Sequence, residues 1–203
     1  MVDATPWLLV GLGNPGPGYA GHRHNVGFMA LDAWSDQFVP TPVWSERYKG
    51  KTCSLRVAGT RVVALKPQTF MNRSGQSVAA AAHYFRIPPT QVIVVHDELD
   101  FPLARLAIKS GGGHGGHNGL RDIITQLGSR DFIRIRFGIG RPIHGEVTQH
   151  VLGDFASAEQ AQVQDALRVV CDAMGCLVRD GLKPAMNQFN TKASRKPSLP
   201  QKS

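Results

Sequence analysis

Short apolar runs alternate along this chain with longer segments whose apolar residues recur every three or four positions, the pattern of strands alternating with amphipathic helices. The first run, Trp7 to Val10, ends in Gly11-Leu12-Gly13-Asn14-Pro15-Gly16-Pro17-Gly18, as a buried strand entering a tight loop does. Val26, Met29, Ala30 and Ala33 then have helical spacing, with Asn25 placed to cap them. Lys51 to Val57 and Arg61 to Leu65 are strand-like and are joined by Ala58-Gly59-Thr60, which predicts a hairpin. A helix capped near Ser74 follows, with Val78, Ala82 and Phe85 on one face, and Ile87-Pro88-Pro89 stops it.

Gln91 to Val95 is β-branched in the manner of a strand buried mid-sheet, and it ends in His96-Asp97-Glu98-Leu99-Asp100. Arg105 to Lys109 alternates and enters a glycine-rich stretch, Gly111 to Gly119. Leu120, Ile123, Ile124 and Leu127 predict the next helix, with Asn118 as its cap and Gly128 closing it. Phe132 to Ile139 alternates again and carries Arg134 and Arg136 on one face, which reads most simply as solvated charge on an edge strand. Glu146 to Phe155 has no clear period and reads as a loop or short strand. Ser157 and Gln160 fit a capping box, and Val163, Leu167, Val170, Met174 and Leu177 form a long core stripe ending at Gly181. The expected fold is α/β: a single three-layer α/β/α domain over residues 1–190 with a twisted, mixed, mostly parallel sheet. Residues 191–203, with Lys192, Arg195, Lys196 and Lys202 among Ser and Pro, are expected to form a basic, disordered tail.

Charge narrows the choice of partner. The 23 Lys and Arg against 15 Asp and Glu leave a net +8, which favours a polyanionic partner such as nucleic acid. Three cysteines, Cys53, Cys171 and Cys176, cannot pair off completely, so a reducing, cytoplasmic setting fits best. No apolar run is long enough for a membrane span, and the N-terminus lacks a basic segment followed by an apolar one. Gly11, Gly13 and Gly16 formally match a dinucleotide fingerprint, but Pro17 and Gly18 deny it the helix it needs.

Several polar residues fall at strand ends, where open α/β sheets bind ligands. Asn14 follows the first strand, Asn72 the strand ending at Leu65, and Asp97 the run ending at Val95. His24 comes soon after Asn14, and His117 with Asn118 lies where a later strand gives way to its helix. The set offers a base, a carboxylate to orient it and several amides, but no obvious nucleophile. Ser74 reads as a cap, Cys53 lies within a strand, and Cys171 and Cys176 lie on the last helix. Water is therefore the expected attacker: a histidine of ordinary pKa, about 6.5, can take its proton, and a carboxylate on the other ring nitrogen fixes the tautomer. Amides can hold a carbonyl and its oxyanion. Each residue also has a plainer reading, as a turn former or a solvated side chain. A metal site is the rival, since His22-x-His24, His96-Asp97 and His114-x-x-His117 supply ligands, although none has an established zinc spacing.

Taken together and in order, Val10 to Gly16 with Tyr19, Arg23-His24-Asn25, Thr69 to Gly75, His96 to Asp100 and Gly111 to Leu120 resemble the bacterial peptidyl-tRNA hydrolase family, over residues 7 to about 190. The resemblance implies a monomeric esterase, independent of metal and cofactor. Its substrate would be peptidyl-tRNA, bound by the acceptor stem and 3′ CCA end and cut between the peptide and the 3′-terminal ribose. His24 would be the general base and Asp97 its orienting carboxylate. Asn14 and Asn72 would position the peptide and the attacked carbonyl, and Asn118 would help hold water or substrate. Tyr19, Phe70, Met71 and His117 would line the cleft. Lys109 and Arg136 would hold tRNA phosphates, and a further basic position used by some relatives is Ala107 here. Gly145 to Phe155 resembles the family's mobile lid. A second reading, a non-catalytic RNA-binding protein that keeps this fold, rests on the basic surface and is disfavoured by the intact His24, Asp97, Asn14 and Asn72 set.

Overall fold

A computed structural model describes residues 5–142 and 144–190 of the chain. The uninterrupted apolar run of β1 (Trp7–Gly11) places it at the sheet's centre, where both faces are covered. It pairs in parallel with β4 (Thr60–Pro67) on one side and β5 (Val92–Glu98) on the other. β7 (Ile133–Gly138) continues the parallel set beyond β5. The hairpin partner β3 (Gly50–Val57), the short β2 (Ser45–Arg47) and β6 (Leu106–Ser110) all pair antiparallel, giving the order β2-β3-β4-β1-β5-β7-β6. The sheet is thus mixed: four parallel strands form its centre, and antiparallel strands extend it on both sides.

Alternation along the central strands sorts the core into two layers. Leu8, Val10, Val63, Leu65, Val92 and Val94 face α2 (Ser74–Phe85) and α3 (Asn118–Leu127). Leu9, Val62, Ala64, Ile93 and Val95 face α1 (Val26–Ser35) and the long α5 (Ser157–Asp180). Between β7 and α5 lies the one-turn α4 (Val147–Val151), in the segment expected to be a loop or short strand. Five helical residues hold too few turns to show a period. A last helix, α6 (Leu182–Phe189), extends past the expected stop at Gly181. Lys183-Pro184 looks like a break, but Pro184 sits in the first helical turn, where its missing N–H has no intrahelical partner to lose.

The strand carrying the two arginines is interior, between β5 and β6, which corrects the edge-strand reading. Arg134 is only 1% exposed. Helix starts also differ from expectation by a residue. Ala156 precedes α5 and donates its N–H to Glu159 at 2.6 Å, so Glu159 serves where Ser157 and Gln160 were expected. Ser74 is already helical, and its hydroxyl donates back to the Met71 carbonyl at 2.9 Å. Among the described residues no helix is long and apolar enough to cross a membrane. The expected basic tail lies outside the described residues.

Two glycines bring α1 unusually close to the sheet. A Cβ on Gly27 would lie 2.3 Å from the Leu12 nitrogen and 2.5 Å from the Val95 carbonyl oxygen, and one on Gly11 would lie 2.1 Å from the Gly27 oxygen. That approach sets the turn before α1 directly over the ends of β1 and β5. After β1 the chain forms a 3-10 turn at Pro17–Tyr19 instead of opening a helix at Gly16, so the dinucleotide fingerprint is coincidental.

Candidate active site

His24 lies in a single 3-10 turn, Arg23–Asn25, that leads into α1. Arg23 fastens this turn: its N–H bonds the Gly153 carbonyl at 2.9 Å, Nη2 meets Glu159 at 2.6 Å, and Nη1 donates to the Asp154 carbonyl. Asn25 occupies the cap position of α1 but does not cap it with its side chain. Instead its Nδ2 donates to the Asn14 carbonyl at 2.9 Å and its Oδ1 accepts from the Asn14 N–H at 3.0 Å. Asn14 is locked as a result. Its own Oδ1 accepts from the Met71 N–H at 2.8 Å, so the amide nitrogen Nδ2 remains as a donor on the wall of the cleft.

Asp97 is the penultimate residue of β5 and is 4% exposed. One of its oxygens, Oδ1, receives two imidazoles: His24 Nδ1 at 2.8 Å and His117 Nε2 at 3.0 Å. The tautomer of His117 follows from its other nitrogen. Nδ1 accepts from the N–H groups of Gly119 and Leu120 at 3.1 and 3.3 Å, so the ring proton resides on Nε2 and points at Asp97. His117, and not Asn118, therefore caps α3. Asn118 begins the helix and accepts from Arg121 at 2.8 Å. Burial alone would raise the Asp97 pKa, but His117 and His24 outweigh it and hold the carboxyl well below its ordinary range. Asp97 is an anion throughout the neutral range, and it fixes His24 with Nδ1–H inward and the Nε2 lone pair without a protein partner among the described residues.

Behind this pair stands His96, 2% exposed, whose Nδ1 donates to the Asp97 carbonyl at 2.6 Å. Its ring meets His117 edge to face at 5.1 Å. Burial, then the neighbouring His117, pushes its pKa down to about 3, so His96 is neutral.

These groups open into a cleft of about 480 Å³. Asn14, His24, Asp97, Asn72, Phe70, Met71, His117, Asn118, Lys109 and Arg136 all line it, as do Arg134 and residues of α4. Tyr19 is at one remove. Its turn sets it edge-on to Phe70 at 6.3 Å and to His22 at 5.3 Å, so it backs the wall without lining it. Lys109 and Arg136 stand on neighbouring strands at the far end from Asn14. Arg136 meets Glu98 at 2.9 Å and covers the Phe101 ring at 4.2 Å, and Lys109 has no hydrogen-bond partner among the described residues. Burial, with Arg134 and Arg136 nearby, lowers the Lys109 pKa.

Of the paired histidines that could have held a metal, only His24 and His117 converge, with Asp97, their ligand atoms within 4.8 Å of one another. His22 packs on Tyr19, and His114 accepts from the Gly116 N–H at 3.1 Å. The nitrogens of His24 and His117 that face Asp97 already donate to it, and the other nitrogen of His117 is engaged in the helix cap. A metal at this cluster would have to displace those hydrogen bonds, with only the outer nitrogen of His24 unengaged among the described residues. Three contributors have roles other than those the sequence suggests: Asn25 as more than a helix cap, His96 as more than a metal candidate, and Arg134 as more than edge charge. His96 directly follows the β-branched run that marks a buried strand, whereas the sequence signal of Asn25, a cap position beside His24, does not show its bonds to Asn14.

Known proteins resemble this chain in both sequence and fold. A family model described as peptidyl-tRNA hydrolase matches residues 8–197. The peptidyl-tRNA hydrolase of Frankia alni is 46% identical over 93% of this chain and 95% of its own, and that of Geotalea daltonii is 45% identical over 91% and 96%. The crystal structure of peptidyl-tRNA hydrolase from Acinetobacter baumannii superposes with a TM-score of 0.86 at 39% identity, covering 94% of this chain and 97% of that one. With nearly the whole chain matched in sequence and in fold, and its strand-end polar residues gathered in one cleft, this chain belongs to the peptidyl-tRNA hydrolase family.

Proposed function

We propose that this chain hydrolyses the ester between a peptide and the 3′-terminal ribose of tRNA, with His24 as general base and water as nucleophile. The observation that carries the reading is the 2.8 Å contact from His24 Nδ1 to a buried, anionic Asp97, which leaves Nε2 as a lone pair beside the cleft. Nε2 takes a proton from water as the oxygen adds to the ester carbonyl. The Asn14 Nδ2 group, fixed by three hydrogen bonds around its residue, donates to the oxyanion, and Asn72 on the same wall assists. Collapse breaks the carbonyl–ribose bond, and the His24 imidazolium, stabilised by Asp97, returns the proton to the departing ribose oxygen. Free tRNA and a peptide carboxylic acid leave, and no covalent enzyme intermediate forms. Asn118 holds water or substrate at the start of α3, and Met71, Phe70 and His117 shape the peptide side.

The net charge of +8 and the Lys109–Arg136 pair support binding of the acceptor stem through its phosphates, with the CCA end reaching His24. The protein acts as a cytoplasmic monomer without metal or cofactor. Release of an N-acetylated aminoacyl group from tRNA, measured with a chelator present for the native protein and His24→Ala, tests the reading. Cleavage that collapses in the variant is expected. Cleavage lost on chelation would favour a metal held by His24, Asp97 and His117, and no cleavage by folded native protein would favour RNA binding without catalysis.

A further inference from the structure

Arg134 is a full positive charge inside the protein. Its guanidinium donates from Nη1 to the Gly113 carbonyl and from Nη2 to the Gly112 carbonyl at 2.6 Å, lies over the Phe132 ring at 4.6 Å, and leaves Nε buried without a partner among the described residues. No carboxylate pairs with it among the described residues, and Lys109 and Arg136 stand nearby as like charges. Burying an arginine without a counter-ion is unfavourable, so the two carbonyls are its compensation. Those carbonyls belong to the glycine-rich loop. Gly111, Gly112, Gly115 and Gly116 all hold positive φ, so the loop has a path that side-chain-bearing residues rarely adopt, and little of its own packing fixes it.

The loop has one chemical output. It ends at His117, whose N–H bonds the His114 carbonyl at 2.9 Å and whose ring joins the start of α3 to Asp97. We infer that Arg134 is a positioning residue for the hydrolysis. By clamping the Gly112 and Gly113 carbonyls it holds the loop so that His117 keeps its bond to Asp97, and through Asp97 it sets the orientation of His24. The path runs from an interior strand, through two carbonyls and one imidazole, to the base. This inference rests on His24 acting as the base.

The test is steady-state hydrolysis of N-acetylated aminoacyl-tRNA by native protein, His24→Ala, His117→Ala, Arg134→Lys, Arg134→Gln and the double variant Arg134→Lys/His117→Ala, normalised to the folded fraction. Lysine keeps the charge but cannot bond both carbonyls in the planar fork of arginine. Arg134→Lys is expected to lower kcat about ten-fold or more with KM within about three-fold, since small misplacement of a reacting group has effects of this size. Once His117 is gone, the same change should lower kcat by less than about three-fold, because the two act in one chain. A raised KM with unchanged kcat would make Arg134 a phosphate contact and overturn the inference. Losses that multiply in the double variant, or replacements that both fail to fold, would also overturn it. If His24→Ala retained full activity, the reading of the base would fall first. A dead His24→Ala beside an unaffected Arg134→Lys would remove this inference alone.

Discussion

The two ends of the cleft are built on opposite principles. Around Asp97 the hydrogen bonds close on themselves: one carboxylate oxygen receives two imidazoles, one of those imidazoles also caps a helix, and Asn14 is fixed by Asn25 and Met71. Around Lys109 the charges do not balance. Among the described residues three cations, Lys109, Arg134 and Arg136, meet a single pairing carboxylate, Glu98, and the Lys109 ammonium is left without a hydrogen bond. The closed end is prepared for a proton transfer that must not wait for reorganisation, and the open end is prepared for an anion that supplies its own partners. Changes at the closed end should therefore appear in kcat, and changes at the open end in KM and its salt dependence.

The largest expected effect is His24→Ala, which should lower kcat on the order of 10³-fold with substrate still bound. Retained turnover would break the contrast at its centre. Asp97→Asn should follow at about 10²-fold, because an amide can neither stabilise the imidazolium nor enforce Nδ1–H on His24. A variant that lost affinity in place of rate would show that the closed end also binds. Lys109→Ala and Arg136→Ala should each raise KM about ten-fold and flatten the dependence of affinity on salt by roughly one phosphate contact, with kcat little changed. If their salt slopes matched the native protein, the open end would not be a phosphate site.

The smallest effect near neutrality belongs to His96 and is read in stability. Its folded-state pKa of about 3 lies below the ordinary imidazole value, so between about 6.5 and 3 the unfolded chain holds a proton that the folded one does not. Stability from this group is intact above that window and falls as pH drops through it, by up to about 1.4 kcal/mol per pH unit. Urea unfolding across this range should show a shallower decline for His96→Gln, and an unchanged decline would mean that His96 is not buried as a neutral ring.

What could be read from the sequence follows from which patterns are unambiguous. The apolar run of β1 and the β-branched run of β5 mark two buried strands, and the polar residues that follow them point to Asn14 and Asp97. Arg134 was misread because alternation of charge looks the same on an interior strand facing a cleft as on an exposed edge. Only the pairing of β6 beyond β7, which sets Lys109 opposite Arg134, separates the two cases. The role of His117 was hidden for a related reason. Asn118 is the better cap by residue preference, but the glycine-rich loop delivers the imidazole to the helix end first, and tertiary contact with Asp97 rewards that choice. α4 and α6 were missed locally, the one too short to show a period and the other masked by a proline in its first turn.

Because one imidazole serves both the start of α3 and the carboxylate beneath the base, the backbone amides of Gly119 and Leu120 are natural reporters on the catalytic centre. If the His117 ring swings away from Asp97, Nδ1 leaves the helix end with it, and the hydrogens of those amides then become free to exchange with solvent. Two resonances in the first turn of a surface helix would thus register the state of Asp97 and its partners without substrate, turnover or any label placed in the cleft.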